Sequence, residues 1–323
     1  MEVGADILLR AIAITLVTYN HAHPYSDFSM GWGGGMTFLM MLSGYNFAKY
    51  GMDGATREEG RAALTRLGLS ILIPSFIAVV GFFLLLQKFN FAELLFYRNW
   101  LTAERISKFP TWYPQVMVQM FAGLALLFSI PRVGAAIFRW PLRAALVLFG
   151  LALGIRTAFP MPLLHNHLPH LFLWNFVLGW VVYFSVTRLP GPWGKLLACA
   201  SGIAGATAIM SAEMLAFWCL SVGVVLLVLP LRIRLWTPVA RFVFIVSQAT
   251  FAIFLLHRFV YEVYEHMPVP QNDDVEWIVG FFGSIALWIA GVVPVRAYRA
   301  LRRRFQTPAS SANLVRALRP SSA

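Results

Sequence analysis

Charged side chains are scarce in this chain. Only 12% of its 323 residues are Asp, Glu, Lys or Arg, while 59% are hydrophobic. Because a soluble domain carries about 25% charged residues, a soluble fold is excluded. The composition predicts an integral membrane protein, and the 15% of aromatic residues suits the interfacial belts of such proteins.

Cysteine is almost absent. The two that occur, Cys199 and Cys219, each lie in an apolar stretch, and neither has a partner at the spacing of a metal site. We therefore expect two buried free thiols. A cleavable signal is not expected either, because Asp6 and Arg10 interrupt the start of the chain and no small-residue cleavage site follows.

Acidic residues are few, with 14 Asp and Glu against 26 Lys and Arg, and the net charge is +12. A basic chain suggests nucleic-acid binding. We reject it, because the basic residues fall in short loops between apolar segments and in the C-terminal tail, which is the distribution that the positive-inside rule produces. The expected surroundings are membrane lipids, with no nucleic acid.

The apolar segments predict an all-α fold, a polytopic membrane helix bundle with about ten transmembrane helices, since a spanning helix needs about 20 mostly apolar residues. The segments centre near Ile14, Leu39, Ala78, Gly123, Leu148, Val177, Gly202, Val222, Ile253 and Ala286. Lys and Arg concentrate in the loops after the even-numbered segments and in the tail, so both termini are expected in the cytoplasm. The exception is the outer loop from Lys88 to Thr111, whose mixture of aromatic and charged residues predicts an interfacial segment or a lid.

A single domain is expected, because the chain shows no internal repeat and no second domain. Residues 1–305 form the predicted transmembrane domain, and residues 306–323, rich in Ser, Ala and Pro, a disordered cytoplasmic tail. The protein is expected to be a multi-pass protein of the plasma (inner) membrane.

The first apolar segment contains two ionisable residues, Arg10 and His21, with ten residues between them. Eleven residues along an α-helix return to nearly the same face and cover roughly 16 Å. One side of this helix therefore carries a cation near its cytoplasmic end and an imidazole near its outer end. Ionisable groups are costly in a membrane helix and indicate function, and an imidazole suits a general base at neutral pH.

Further patterns follow this pair along the chain. Gly33 to Gly35 precede an apolar run that ends in Ser43-Gly44-Tyr45, and an Arg-rich loop leads into a helix with Pro74. TWYPQ opens the fourth segment, and SQATFAIFLLH ends at His257. Together with RAIAITLVTYNH, these patterns resemble the acyltransferase-3 family of multi-pass membrane acyltransferases, which includes bacterial O-acetylases. The likeness is spread over most of the first 260 residues and fits the predicted number of helices.

The resemblance implies an enzyme that moves an acyl group, acetyl or another short one, from cytoplasmic acyl-coenzyme A to a hydroxyl of a surface carbohydrate or lipid-linked acceptor. His21 would be the catalytic base, and Arg10 would bind the anionic or carbonyl end of the donor. Acyl-coenzyme A is then a co-substrate, and no cofactor or metal is expected. The donor-binding candidates are Arg61, Arg66 and Lys49, although Arg61 and Arg66 are spaced more widely than the family's Arg-x-x-Arg pair.

Other polar residues are expected near the same cavity. The candidates for acceptor binding or for the cavity wall are Tyr45, Asn46, Trp112, Tyr113, Gln115 and Gln119. The two glutamines lie one turn apart on one helix face, which indicates either a polar cavity or hydrogen bonds between helices alone.

Two rival functions and two structural alternatives stay open. Arg10 and His21 also suit a transporter of an anionic or lipid-linked solute, as substrate clamp and proton relay, and a non-catalytic scaffold is not excluded. Arg10 can instead pair with Asp6 one turn earlier. Arg61 and Arg66 can serve only to set topology.

Ser43 and the remaining histidines have simpler interpretations. Ser43 lies in a helix without an adjacent base, so we interpret it as a small residue that lets helices approach, and His257 as a residue of helix packing or ordering. The outer loops also contain His23, His165, His167 and His170. Their spacing is loose and no Cys or acidic ligand adjoins them, so they are expected to be solvated or to contact the acceptor, without a metal.

Overall fold

The computed structural model of the protein describes residues 1–23, 34–86, 90–101, 112–159, 167–210, 215–229, 231–270 and 272–306, and for residues 86, 215 and 293–306 the backbone only. The helices of this part of the chain are α1 (Ala5–Ala22), α2 (Gly34–Phe47), α3 (Arg57–Leu86), α4 (Phe91–Leu94), α5 (Trp112–Ser129), α6 (Pro131–Arg139), α7 (Pro141–Ala158), α8 (Pro169–Arg188), α9 (Pro192–Ile209), α10 (Leu215–Val228), α11 (Thr237–Glu265) and α12 (Asp273–Gln306). A wide π-type turn (Ala48–Met52) extends α2, and a 3₁₀ turn (Arg98–Trp100) follows α4. Two short strands, β1 (Glu2–Gly4) and β2 (Arg232–Arg234), complete the described elements.

All ten predicted helix centres fall in these helices, which confirms the all-α polytopic fold class. Of the described helices, five (α3, α7, α8, α11 and α12) are each long and apolar enough to cross a membrane. A sixth is added if α5 and α6, bent by 99° at their junction, form one span. The helices α2 and α10 have only 14 residues each, fewer than the about 20 that a spanning helix needs, and α1 carries two charged residues, Asp6 and Arg10. The count of ten spans therefore stays a prediction. Residues 102–111 of the outer loop and residues 307–323 of the predicted tail lie outside the described residues.

Proline sets the start of several helices. Pro131, Pro141, Pro169 and Pro192 each occupy the first turn of their helix, where the missing N–H group would have no partner and the fixed φ angle is already helical. Pro74 lies inside α3 instead, a position that membrane helices tolerate because neighbouring groups satisfy the freed carbonyl.

Among the described residues, a two-stranded β-ribbon departs from the prediction of an all-α fold. β1 pairs antiparallel with β2, with Val3 opposite Ile233. The amino group of Met1 donates to the Leu235 carbonyl at 2.9 Å, and the Leu235 N–H group donates back to the Met1 carbonyl at 3.0 Å. Strands of three residues are too short for an alternating pattern to be visible in the sequence. The ribbon fixes the start of α1 beside the start of α11.

Contacts between loops define two opposite faces of the bundle. On one face the ribbon joins the N-terminus to the loop after α10, and the Tyr183 hydroxyl of α8 donates to the Asp53 carboxylate after α2 at 2.7 Å. These loops are the basic ones, and we call this side the basic face. On the opposite, outer face, His23 after α1 lies 3.0 Å from the Asp274 carboxylate at the start of α12. The loops in contact on each face are therefore the ones that the alternation of charge along the chain assigns to the same side of the membrane. Which side of the membrane each face occupies stays a prediction.

The packing of α2 against α8 depends on glycine. A Cβ atom at Gly44 would overlap the Phe176 carbonyl, and one at Gly179 would overlap the Met41 carbonyl. Small residues let helix backbones approach closely in membranes, so this contact fits the packing interpretation of the Ser43-Gly44 pair. Next to it, α1 packs against α2, α11 and α12, which brings one side of α1 to the centre of the bundle.

The two cysteines lie in α9 and α10. Both are free thiols, as predicted, but each is half-buried, so the prediction of full burial was wrong. The reason is that an apolar stretch of a membrane protein faces lipid as readily as it faces protein.

Candidate active site

A cavity of about 710 Å³ lies among α1, α2, α3, α5 and α11. Much of its wall is apolar, with side chains such as Leu39, Phe121 and Phe251. The polar residues of the wall are Arg10, Ser43, Asn46, Tyr50, Arg66, Ser70, Tyr113, Ser247, Gln248 and Thr250. An apolar pocket of this size with some convergent polar groups is typical of a ligand site.

The π-type turn after α2 shapes the end of the cavity nearest the basic face. This turn brings Tyr50 and Gly51 to the wall, where Arg66 of α3 joins them. A Cβ atom at Gly51 would lie 2.7 Å from the Phe47 ring, so a larger residue would force that ring to move. Turns of this type are rare and frequently occur at functional sites.

Arg10 lies in the second turn of α1, and its half-buried side chain reaches the cavity wall. No residue of the described part of the chain forms a hydrogen bond or an ion pair with its guanidinium, so the alternative pairing with Asp6 is not formed. The guanidinium interacts electrostatically with Tyr113, another wall residue. Because an unpaired cation in an apolar wall is costly, this arrangement favours a bound anion or carbonyl as its partner.

His21 and His257 form a hydrogen-bonded pair near the outer ends of α1 and α11. His21 Nδ1 lies 2.7 Å from His257 Nε2, and the ring centroids are 4.9 Å apart with the rings nearly parallel. His257 is fully buried, whereas His21 keeps partial exposure. The second ring nitrogen of His257, Nδ1, lies 2.9 Å from the Ile253 carbonyl one turn earlier. Within the described ranges, His21 Nε2 has no hydrogen-bond partner.

A row of aromatic rings connects the cavity with the histidine pair. Tyr113 and Phe254, both on the cavity wall, have ring centroids 4.9 Å apart. The Phe254 centroid lies 6.0 Å from that of His257. The cavity therefore ends one ring away from the histidine pair.

The predicted site residues divide between the cavity wall and its surroundings. Those on the wall are Arg10, Asn46, Arg66 and Tyr113. Tyr45 packs edge-on against Tyr183 with centroids 5.4 Å apart, and Lys49 Nζ lies 4.9 Å from the centre of the Tyr50 ring, so both flank the end of the cavity nearest the basic face. Arg61 is exposed on α3.

A sequence model of the acyltransferase domain matches residues 7–295, nearly the whole chain. The chain belongs to the acyltransferase-3 family. The matched range contains both histidines of the pair and the whole cavity wall, so the protein is a membrane acyltransferase with an acyl donor and an acceptor as substrates. No curated protein and no solved structure matches the chain.

Three predicted residues of this acyltransferase lie at the outer face instead of on the cavity wall. Gln115 Oε1 accepts from the Asn99 N–H group at 3.1 Å, and Gln119 Oε1 accepts from Asn99 Nδ2 at 3.0 Å. Trp112 packs on His167 with ring centroids 4.2 Å apart. Of the two interpretations of the glutamines, the described contacts favour hydrogen bonding, and the partner is the outer segment 90–101 instead of a neighbouring helix.

The outer histidines of the acyltransferase have separate partners. Burial lowers the pKa of His167 to about 4, so this ring is neutral at pH 7. It packs between Trp112 and Phe172 instead of being solvated, while contact with the acceptor stays a prediction. His23 pairs with an acidic residue, and His165 lies outside the described residues. Among the residues that the structure describes, no three His, Cys, Asp or Glu side chains converge on a possible metal position.

The SQATFAIFLLH segment of α11 carried part of the resemblance in the sequence, but its place at the cavity was not predicted. Ser247 and Thr250 line the cavity, Phe254 ends it, and His257 holds His21. These four residues are spaced by three, four and three positions, which puts them on one helix face. The polar residues before His257 were therefore a usable signal, although nothing local indicates which helix they face.

Proposed function

We propose that this membrane acyltransferase transfers an acetyl or other short acyl group from cytoplasmic acyl-coenzyme A to a hydroxyl of a carbohydrate or lipid-linked acceptor at the outer face. The observation that supports it is the cavity. It begins near the basic face at Tyr50 and Arg66, has the unpaired Arg10 in its wall and ends one ring from the pair of His21 and His257. Acyl-coenzyme A can thus enter at the basic face while its thioester approaches His21 near the outer face.

Arg66 and Arg10 have different roles in this proposal. Arg66 lies at the end of the cavity nearest the basic face, where a guanidinium suits the phosphates of coenzyme A. The Arg10 guanidinium interacts with Tyr113, whose ring lies against Phe254 at the other end of the cavity, and it binds the thioester carbonyl or an anionic group of the donor. Lys49 lies beside Tyr50 at the same end of the cavity, and Arg61 is exposed earlier on α3. Both add positive charge that attracts the donor.

His21 acts as the general base. Its Nε2 atom takes the proton of the acceptor hydroxyl while the oxygen attacks the thioester carbonyl carbon. The new C–O bond forms, the C–S bond breaks and coenzyme A leaves as a thiolate. The imidazolium of His21 then returns the proton to the sulfur, so the products are the ester and coenzyme A thiol and the base is restored.

The experiment compares cells that lack the gene with cells complemented by the wild-type chain, by His21→Ala or by His266→Ala. His266 is a matched control, because it is an exposed histidine at the outer end of α11, away from the cavity wall. We expect an additional ester-linked acyl group on extracellular glycan or lipid with the wild type and with His266→Ala, and none with His21→Ala.

Purified protein in detergent provides the second arm. Slow release of coenzyme A thiol from acyl-coenzyme A, dependent on His21, is expected. The absence of both thioester cleavage and acylated product, together with uptake of an anionic solute into proteoliposomes, would instead indicate a transporter.

A further inference from the structure

We propose that His257 is a positioning residue that sets the tautomer of His21, so that His21 Nε2 is the nitrogen that takes the acceptor's proton. This inference rests on the proposed role of His21 as the base. It assigns a role in the reaction to a residue that the sequence alone presents as one of helix packing or ordering.

The hydrogen-bond pattern determines the tautomers. A carbonyl oxygen only accepts, so the contact of 2.9 Å between His257 Nδ1 and the Ile253 carbonyl requires a proton on Nδ1. A neutral His257 then has a lone pair on Nε2. The contact of 2.7 Å between this Nε2 and His21 Nδ1 therefore requires the proton on His21 Nδ1. The remaining nitrogen of His21, Nε2, carries the lone pair.

The surroundings of His257 hold it in this orientation. The ring is fully buried and lies against Phe254 on one side and the edge of Tyr261 on another, with centroids 6.0 and 5.4 Å away. The Tyr261 hydroxyl donates to the Thr18 carbonyl of α1 at 2.9 Å, which fixes α11 against the helix that carries His21. A ring that is held in this way has no freedom to offer its N–H group to His21 instead.

The same contact operates after proton transfer. Once His21 is an imidazolium, its Nδ1–H group donates to the His257 lone pair, which delocalises and stabilises the new charge. In a Ser-His-Asp triad a carboxylate performs this orientation and stabilisation. Here the partner is a neutral imidazole. The charged group near it is Arg258 on α11, and beyond that side chain lie Glu262 and Glu265 of α11 and Glu276 of α12.

The first test compares two substitutions at His257. His257→Gln keeps an acceptor near the position of Nε2, while His257→Met retains bulk and has no acceptor for the His21 N–H group. We expect His257→Met to lower kcat by about 10²-fold, within the range for a misoriented general base, with the donor KM nearly unchanged. His257→Gln should recover most of that loss. Equal losses in both variants, or wild-type activity in both, would overturn the proposal.

A double-mutant comparison separates positioning from a general packing defect. If His257 acts through His21, then His257→Met does not lower the residual coenzyme A release of the His21→Ala variant any further, because the two residues act as a unit. Independent, multiplicative losses would show that His257 affects the enzyme in another way. Thermal unfolding and gel filtration of each variant in detergent identify those that do not fold.

The second test does not depend on activity. ¹⁵N spectra of protein labelled at histidine nitrogens report which ring nitrogens carry protons, and the His21→Ala variant assigns the His21 signals. We expect a proton on His21 Nδ1 and none on Nε2 in the wild type, and loss of this preference in His257→Met. A proton on Nε2 in the wild type would overturn the inference even if His21 is the base. An active His21→Ala variant would overturn the proposed function and leave the tautomer assignment standing.

Discussion

Asn99 and Gln119 face each other at the outer surface as a reciprocal amide pair. Asn99 Nδ2 donates to Gln119 Oε1 at 3.0 Å, and Gln119 Nε2 donates back to Asn99 Oδ1 at 2.9 Å. The same Gln119 amide accepts from the Trp100 indole and donates to the Phe96 carbonyl. One side chain of α5 therefore connects three residues of the outer segment 90–101 to the bundle.

Gln119→Leu should release this segment. Asn99, Trp100 and Phe96 each lose a hydrogen-bond partner, and a partly buried polar group without one costs about 1–3 kcal/mol. We expect faster hydrogen exchange and easier proteolysis confined to residues 90–101, measured by mass spectrometry. Thr157→Ala, at an exposed hydroxyl on α7, is the control and should leave both unchanged. Exchange that rises over the whole bundle would mean that Gln119 supports the core instead.

His21→Ala should abolish acyl transfer while the protein still inserts and folds. The reason is that the proposed base is lost from the outer end of α1, and the loss of a general base typically costs about 10² to 10⁴ in rate. The measurement is coenzyme A release with acceptor present. Activity within a few-fold of wild type would rule out His21 as the base, and His266→Ala controls for the loss of a histidine at this face.

Arg10→Lys should be impaired nearly as much as Arg10→Ala. A planar guanidinium makes a bidentate contact that an ammonium does not reproduce, and the described residues leave the Arg10 guanidinium without an ion pair or hydrogen bond of its own. The measurement is kcat/KM for acyl-coenzyme A in proteoliposomes. Full activity with Lys would show that Arg10 contributes only charge.

Arg66→Ala should raise the KM for acyl-coenzyme A and leave that for the acceptor nearly unchanged. Arg66 lines the cavity and Arg61, five residues earlier, does not, although both side chains are exposed, so Arg61→Ala should have the smaller effect and serves as the comparison. Losing a charge-assisted contact costs about 1.5–3 kcal/mol, which is roughly ten- to a hundred-fold in donor affinity. An equal rise of the donor KM in both variants would indicate that the arginines act only through their overall positive charge. An unchanged donor KM in both would mean that these arginines serve only to set the membrane topology.

Reporter fusions should lie on opposite sides of the membrane when placed after Arg304 and in the loop between Tyr264 and Trp277. The prediction follows from the concentration of Lys and Arg in the loops after even-numbered helices and in the tail. A reporter after Arg304 is expected in the cytoplasm. Reporters on the same side would contradict the ten-span map, because the two positions are separated by α12 alone.

The sequence by itself determined the class of protein, the positions of ten helices and the two ionisable residues of α1. Hydropathy, proline at helix starts and loop charge are local properties, because the membrane and the translocation machinery act on each segment separately. For the same reason the Arg10 and His21 pair was visible before any fold was known, since both residues lie on one helix.

Only the tertiary structure decided what these residues face. His257 is 236 residues from His21, and Gln119 is 20 residues from Asn99, so neither contact has a local signature. The same holds for the unpaired Arg10, since its nearby Asp6 made the opposite outcome equally reasonable. Polar partners in a membrane bundle are selected by helix packing. Here α1 packs against α11, and the β1–β2 ribbon pairs the segments that precede these two helices, which no single segment encodes.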